Sequence, residues 1–320
     1  MTVRGKEGGR IENQPLRRPL IAIVGPTAVG KSDLALGLAV KLGGEIVSAD
    51  SRQIYRYMDI GTAKPTEEER RLVPHHLVDI VDPDEEYTLA DFQRDAYNAI
   101  DDILHRGKLP FLVGGTGLYA KAVIDGLVIP RIPPDPDFRR EMEERARTEG
   151  AESLHKELLI IDPVAASKID PRNVRRVIRA LEVYHHTGRP ISELQQAKPP
   201  SYDILITGLT CSREELYRRI DERVDWQIAN GLVEETKRLV AMGYSYVLPS
   251  MSGLGYRQIG MYLRGDITLE TAIQLIKTET HRFARQQYTW FRLDDPKIHW
   301  LLRETDYKER ALELVRSFLS

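Results

Sequence analysis

Residues 25–32 read GPTAVGKS, which fits G-x-x-x-x-G-K-[ST], and no other stretch of the chain leaves the fold so little freedom. The motif follows PLIAIVG (19–25), a continuous apolar run of the kind buried on both faces of a sheet. It precedes SDLALGLAVKLGG (32–44), whose apolar residues recur at helical spacing until a glycine pair stops them. Strand, glycine-rich turn and helix in that order let successive backbone N–H groups and a helix N-terminus converge on phosphate oxygens. Gly25, Pro26, Thr27, Ala28, Val29, Gly30, Lys31 and Ser32 are therefore expected to cradle a diphosphate or triphosphate. Lys31 would reach the terminal phosphate, and Ser32 would ligate Mg²⁺.

The remaining pattern extends the first unit. EIVSAD (45–50) reads as a second strand, and 66–107 holds helical periodicity, clearest in LADFQRDAYNAIDDILHRG (89–107). LPFLVGGTGLY (109–119) is a further strand that breaks at glycines. Such alternation predicts an α/β fold: a P-loop NTPase-like parallel sheet flanked by helices, with right-handed crossovers. Prolines then cluster in IPRIPPDPDF (129–138), residues 138–190 read as helices rich in Arg and Glu, and KPPSYDILITGLTC (198–211) restores a strand. This organisation predicts a flexible tail at 1–17 and a catalytic core at 18–129 plus 198–320. An all-helical insertion at 130–197 interrupts that core. The last third reads as helices around a turn-rich segment, VLPSMSGLGYRQIG (247–260).

Composition supplies exclusions. No apolar run approaches the roughly 20 residues that cross a bilayer, and the charged first residues lack a signal-peptide core. The single cysteine, Cys211, rules out an internal disulfide and an all-cysteine metal site. A cytoplasmic protein without membrane contact is expected, and a monomer. The net charge of −2 does not itself indicate a polyanion partner, so basic residues would have to be clustered on one face. The paired His75 and His76 lack a second ligand pair at zinc spacing.

The phosphate cradle alone fits a kinase or nucleotidase. Yet the strand that would usually end in a Mg²⁺-holding aspartate reads FLVGGTGLY (111–119). The nearest carboxylate is Asp50, at the end of the second strand, where ligands sit in open α/β sheets.

GPTAVGKS (25–32), SADSRQIYRYMDIGTAKP (48–65), PHHLVDIVDP (74–83), ADF (90–92) and FLVGGTGLY (111–119) resemble the tRNA dimethylallyltransferase family in order and spacing. The resemblance runs on through DPRNVRRVIRALEVYHHTG (170–188), SREELYRRIDERVD (212–225) and GYRQ (255–258), and so covers nearly the whole chain after the tail. It implies that the loop holds dimethylallyl diphosphate, with Mg²⁺. The acceptor it implies is the exocyclic amine of the adenosine just 3′ of the anticodon, in tRNAs reading codons that begin with U.

The same resemblance makes Asp50 the general base, with Thr27 and Arg223 beside the leaving diphosphate and Arg219 a further contact. Without it, Arg219 and Arg223 would read as surface arginines paired with Glu215 or Glu222, above a buried stripe of Leu216, Ile220, Val224 and Ile228. Asp50, Ser51, Arg52 and Gln53 fall in the segment implied to hold the extruded base, where the Gln53 amide suits an adenine edge. Thr116, Arg139 and Arg257 match implied RNA contacts. Arg172, Arg175, Arg176 and Arg179 step along the insertion as one basic helix face suited to the phosphates of a tRNA anticodon stem–loop. In HRFARQQYTWFR (281–292) the aromatics Phe283, Tyr288, Trp290 and Phe291 are expected in the core. The family carries a more basic version of THRFARQQ (280–287), with arginines where this chain has His281 and Gln286.

Three other readings stay open on the residues alone. One is a small-molecule or nucleoside kinase, a second is a prenyltransferase for free adenine nucleotides, and the third is an RNA-binding module with a vestigial loop. The basic insertion separates the second from a tRNA enzyme, and the intact Lys31, Ser32 and Asp50 argue against the third.

Overall fold

Leu20, Ile21, Ala22, Ile23 and Val24 are all buried, which places β1 (Pro19–Val24) in the middle of a sheet rather than at its edge. A computed structural model describes residues 18–130 and 132–320, so the expected tail at 1–17 lies outside the described residues. The other strands are β2 (Gly44–Ser48), β3 (His75–His76), β4 (Leu109–Val113), β5 (Asp203–Thr210) and β6 (Ile298–Leu302). They form a six-stranded sheet in the order β3-β2-β4-β1-β5-β6, and every pair is parallel. This is the expected α/β architecture. It puts the ends of β1, β2 and β4 side by side, with the order reversing around β1, so their following loops meet in one crevice.

Two strands escaped the sequence reading. β3 is a histidine pair held by Ile46 and Val47, without an apolar run of its own. β6 (IHWLL) is an edge strand with mixed exposure and follows a polar turn, so it has no continuous apolar signal.

Helices cover both faces: α1 (Lys31–Leu42), α2 (Glu67–Leu72), α3 (Leu89–His105) and α4 (Gly117–Ile124) from the first half. Then come α5 (Pro136–Thr148), α6 (Ala151–Ile161), α7 (Pro163–Ala166), α8 (Val174–Thr187) and α9 (Ile191–Leu194). The chain ends with α10 (Arg213–Ala229), α11 (Leu232–Ala241), α12 (Tyr256–Leu263), α13 (Leu269–Gln287) and α14 (Tyr307–Leu319). Among the described residues no helix is long and apolar enough to cross a membrane.

Helices α5 to α9 bury a core of their own, built on Met142, Leu154, Leu158, Val177, Ile178 and Leu181. Leu154 and Leu158 are fully buried, each worth about 1.5–3 kcal/mol of transfer free energy. The start of α5 is set by Asp135, whose carboxylate accepts from the Asp137 and Phe138 amides, followed by Pro136 at the first helical position. The chain enters and leaves this unit through two adjacent segments, joined where Val128 N–H donates to Gln196 C=O (2.7 Å) and Lys198 N–H to Gly126 C=O (2.8 Å).

α10, α11, α12 and α13 pack beside the crevice and bury Leu216, Ile220, Val224, Leu232 and Ile276 against the sheet core. The expected stripe on α10 continues into Gln227 rather than Ile228, which is only partly buried. Gln227 Nε2 donates to the carbonyls of Ile60 (2.7 Å) and Gly61 (3.1 Å), and from α11 the buried Glu235 accepts from the amides of Asp59, Ile60 and Gly61. The loop DIGTAKP is thereby fixed by helices that follow it by more than a hundred residues.

Candidate active site

The glycine loop between β1 and α1 has a left-handed backbone at Gly25 (φ 141°), Ala28 (φ 65°) and Gly30 (φ 102°). A Cβ on Gly25 would lie 2.3 Å from the Leu209 carbonyl oxygen, so the close pass against β5 requires glycine there. Ala28 adopts the same region despite its Cβ, and Arg219 Nε holds it by donating to its carbonyl (2.8 Å). Gly30 opens α1 without a side-chain cap, which leaves first-turn N–H groups to an anionic ligand.

Lys31 folds back over the loop and donates from Nζ to the Pro26 carbonyl (2.7 Å). Burial pushes its ammonium down to about 8, with Asp50 pulling upward and Arg223 pushing further down. Burial likewise lowers the Arg223 guanidinium below its ordinary value, against the pull of Asp50. Arg223 Nη1 donates to Thr27 Oγ1 (3.3 Å). Thus Lys31, Asp50, Thr27 and Arg223, drawn from three separate elements, share one electrostatic neighbourhood.

On the β2 and β4 side, Asp50 Oδ1 accepts the Arg52 amide (2.9 Å) and Ser51 N–H donates to Thr116 Oγ1 (3.2 Å). Gln53 is already engaged: its Oε1 accepts from Ser48 Oγ (3.0 Å), and its Nε2 donates to the carbonyls of Thr62 (3.3 Å) and Ala63 (3.2 Å). Arg52 reaches the turn-rich segment and donates to the Pro249 carbonyl (2.7 Å). Both side chains thus have protein partners that tie the segment after β2 to the DIGTAKP loop and to the turn-rich segment.

The structure therefore brings together Gly25, Pro26, Thr27, Ala28, Val29, Gly30, Lys31, Ser32, Arg219, Arg223, Asp50, Ser51 and Thr116. The insertion behaves differently. Arg139 grips the fully buried Glu182 with one guanidinium edge, Nε and Nη2 donating to its two carboxylate oxygens (2.7 and 2.9 Å), and Arg179 pairs with the same carboxylate. Burial alone would raise Glu182, but Arg139, the Asp135 amide and Arg179 outweigh it and hold the carboxyl down to about 2. The expected basic face is thus divided. Arg172 precedes α8 and pairs with Asp170, and Arg179 turns inward, which leaves Arg175 and Arg176 exposed. The helical period explains the split: α8 must turn Val177, Ile178 and Leu181 inward, and Arg179 carries the polar edge of that buried side. Arg257 is exposed and pairs with Glu279.

Several partners were not legible beforehand. Gln287, at the end of α13, is 4% exposed; it accepts the Thr27 amide (2.8 Å) and donates to the Gly115 carbonyl (2.6 Å). Arg303, just after β6, donates to the Val29 carbonyl (3.3 Å) and to Tyr307 Oη (3.1 Å). The Q in THRFARQQ carries no periodic or charge signal, and Arg303 follows the strand that sequence reading missed.

His281 stacks on Tyr217 at 4.1 Å between ring centroids and faces Asp221 Oδ1 at 2.8 Å. It is a contact between α10 and α13. Phe291 is buried and Tyr288 and Trp290 partly so, but Phe283 is exposed, which corrects its expected place in the core. His75 turns its ring to the Val73 carbonyl and His76 to Glu45 (both 2.8 Å), so the pair is structural.

The Ser32 hydroxyl is exposed at the head of α1. Among the described residues no group of three or more His, Cys, Asp or Glu stands together as a metal cage. A lone hydroxyl at the head of a phosphate-binding helix fits a Mg²⁺ that is otherwise held by substrate phosphates and water.

A family model described as IPP transferase matches residues 53–294, and one described as Isopentenyl transferase matches residues 19–74. A tRNA dimethylallyltransferase of Thermomicrobium roseum is 58% identical over 276 residues, covering 86% of this chain and 84% of its own. Another, from Roseiflexus sp., is 53% identical over 301 residues, covering 94% and 99%. Among solved structures, the full-length tRNA isopentenylpyrophosphate transferase of Bacillus halodurans superposes with a TM-score of 0.69 at 44% identity, covering 95% and 96%. A eukaryotic dimethylallyltransferase acting on tRNA superposes with a TM-score of 0.78 at 30% identity, covering 94% of this chain and 79% of that one.

Proposed function

The chain belongs to the tRNA dimethylallyltransferase family, and on that premise we propose the reaction its crevice carries out. The enzyme transfers a dimethylallyl group from dimethylallyl diphosphate to the exocyclic N6 amine of the adenosine 3′-adjacent to the anticodon, in tRNAs reading U-initial codons. Diphosphate is released. The observation that carries this reading is the convergence of Lys31 and Arg223 with Asp50, an anion cradle against a carboxylate.

The cradle N–H groups, Lys31, Arg219 and Arg223 take up the charge that develops as the allylic C1–O bond breaks. Thr27 Oγ, held by Arg223, lies beside the departing oxygen. Ser32 would hold Mg²⁺, which when bound neutralises part of the diphosphate charge. The adenine amine is a poor nucleophile because its lone pair is delocalised into the ring. As its nitrogen bonds to C1, Asp50 accepts the proton it loses. The Arg52 amide fixes one carboxylate oxygen for that task. The base reaches this depth only when extruded from its stack. Ser51 and Thr116 bound its entrance, and Arg175 and Arg176 on the insertion meet stem phosphates. We place the enzyme in the cytoplasm, acting as a monomer.

Radiolabelled dimethylallyl diphosphate, Mg²⁺ and unmodified tRNA, with AMP in parallel, test the proposal. Label in tRNA supports it, and label in AMP alone moves the enzyme to free nucleotides. No transfer together with ATP turnover overturns it in favour of a kinase.

A further inference from the structure

The donor and acceptor halves of the crevice lie on different strands, and catalysis by proximity demands that they be held in register. Five hydrogen bonds form a route between them. Asp50 Oδ1 accepts from the Arg52 amide (2.9 Å), and the adjacent Ser51 amide donates to Thr116 Oγ1 (3.2 Å). The neighbouring Gly115 carbonyl accepts from Gln287 Nε2 (2.6 Å), Gln287 Oε1 accepts from the Thr27 amide (2.8 Å), and Thr27 Oγ1 accepts from Arg223 (3.3 Å). Gln287 is the one side chain in this route that touches both the loop after β1 and the loop after β4.

Its burial argues against a filler role. A side chain only 4% exposed has both amide atoms bonded to backbone groups. Only one orientation of the amide satisfies both, because a carbonyl needs a donor and an N–H an acceptor. An apolar residue there would strand the buried Gly115 carbonyl and leave the half-buried Thr27 N–H without this partner. Gly115 confirms how tight the joint is: a Cβ on it would lie 2.4 Å from Gln287 Nε2 and 3.3 Å from Lys31 Nζ. Moreover, the bond to Gln287 takes the Thr27 N–H away from phosphate binding, so the loop is fastened to β4 at the residue that faces the leaving group.

We infer that Gln287 is a positioning residue, a two-sided amide clamp that fixes the distance between the diphosphate cradle and the adenine pocket. This rests on the transferase reading, and wild-type transfer to tRNA tests that reading separately. A displacement near 1 Å of reacting groups costs about 10²-fold. Loosening the clamp should therefore lower kcat while leaving the binding of each substrate intact. It should also uncouple the reaction. When the C1–O bond breaks and the amine is out of reach, water adds its oxygen to C1 and gives up a proton, which yields dimethylallyl alcohol and diphosphate.

Two variants test the clamp against wild type, Gln287→Met and Gln287→Glu. Melting temperature, kcat, KM for each substrate, and diphosphate released per prenyl group transferred are measured for each. The expected result is kcat reduced about 10- to 100-fold with both KM values nearly unchanged and diphosphate release exceeding transfer. In Gln287→Glu, the ratio of variant to wild-type kcat should rise as pH falls, because a protonated carboxyl again donates to the Gly115 carbonyl. Unchanged kcat, an effect confined to one KM, or folding lost in both variants overturns the inference. A wild type that transfers nothing would instead overturn the transferase reading.

Discussion

Arg223 on α10 donates to Thr27 Oγ1 in the glycine loop across 3.3 Å, and burial has lowered its guanidinium below the ordinary value. A cation kept dry beside a hydroxyl of the anion cradle acts most strongly on charge that appears during reaction. Arg223→Ala is expected to lower kcat by about 10²–10³-fold, in the range of losing one preorganised donor. Arg223→Lys should recover only part, since an ammonium lacks the planar fork. Single-turnover transfer rates at saturating substrates check this; a loss confined to KM would remove Arg223 from the transition state.

Asp50 has two tasks that a conservative substitution separates. Its Oδ1 caps the Arg52 amide, and the amide oxygen of an asparagine can do the same. Asp50→Asn should therefore keep the melting temperature and tRNA affinity while losing about 10²–10⁴-fold in rate, the usual contribution of a general base. Single-turnover prenyl transfer and filter binding of tRNA make the comparison. Activity near wild type would mean that another group takes the proton.

Lys31 links donor binding to pH. Its pKa is about 8 in the substrate-free fold, against 10.5 for an ordinary lysine. The folded value is depressed, so between those limits the unfolded chain holds the proton more firmly and this group's contribution to stability rises with pH. Below about pH 8 the lysine is charged in both states and that contribution is at its lowest. A bound diphosphate reverses the balance by favouring the ammonium. Dimethylallyl diphosphate should thus bind with proton uptake at and above pH 8, and its affinity should fall as pH rises further. Calorimetric titrations in two buffers of different ionisation enthalpy measure the uptake. Heats independent of buffer in wild type would sink the idea, and Lys31→Arg should abolish the effect.

The site was unevenly legible in the sequence. The loop and Lys31 could be read because a helix N-terminus, tight turns and a phosphate-seeking cation require particular residues at fixed spacing. Asp50 followed from the end of an apolar strand. Gln287 and Arg303 could not be found that way: they act through single side chains that arrive from distant helices and strands, where periodicity reports burial but not partners. Helical spacing put Arg175, Arg176 and Arg179 on one side of α8, yet the buried Glu182 turns Arg179 inward. A carboxylate paired with two arginines looks, in sequence, like any surface glutamate.

Glu182 anchors that insertion. It is fully buried and binds Arg139, Arg179 and the Asp135 amide at the start of α5. Removing one partner of a buried ion cluster commonly costs about 3–5 kcal/mol, because the remaining charges are left uncompensated. Glu182→Ala should accordingly lower the melting temperature of the insertion and weaken tRNA binding, with donor binding unaffected. Its carboxyl is held down to about 2 from 4.5. Its stabilisation is therefore present above pH 4.5 and lost as pH falls toward 2. Thermal melts of wild type and variant across that range should converge at the acid end. Parallel curves would assign the acid loss to other carboxylates.

Arg175 and Arg176 are exposed on α8, and among the described residues neither guanidinium forms an ion pair, in contrast to Arg172 with Asp170 and Arg139 with Glu182. A free guanidinium on phosphate binds by releasing counterions, so its signature is salt dependence rather than sequence preference. Each arginine that meets a stem phosphate should reduce the slope of log affinity against log salt by about one when replaced. Arg175→Ala with Arg176→Ala should raise KM for tRNA and flatten that slope by about two, while KM for dimethylallyl diphosphate and the rate at saturating tRNA stay as in wild type. Arg172→Ala serves as the control, since that guanidinium is paired with Asp170. Equal slopes for the double variant and the control would place the stem on another face of the molecule and leave α8 a solvated helix.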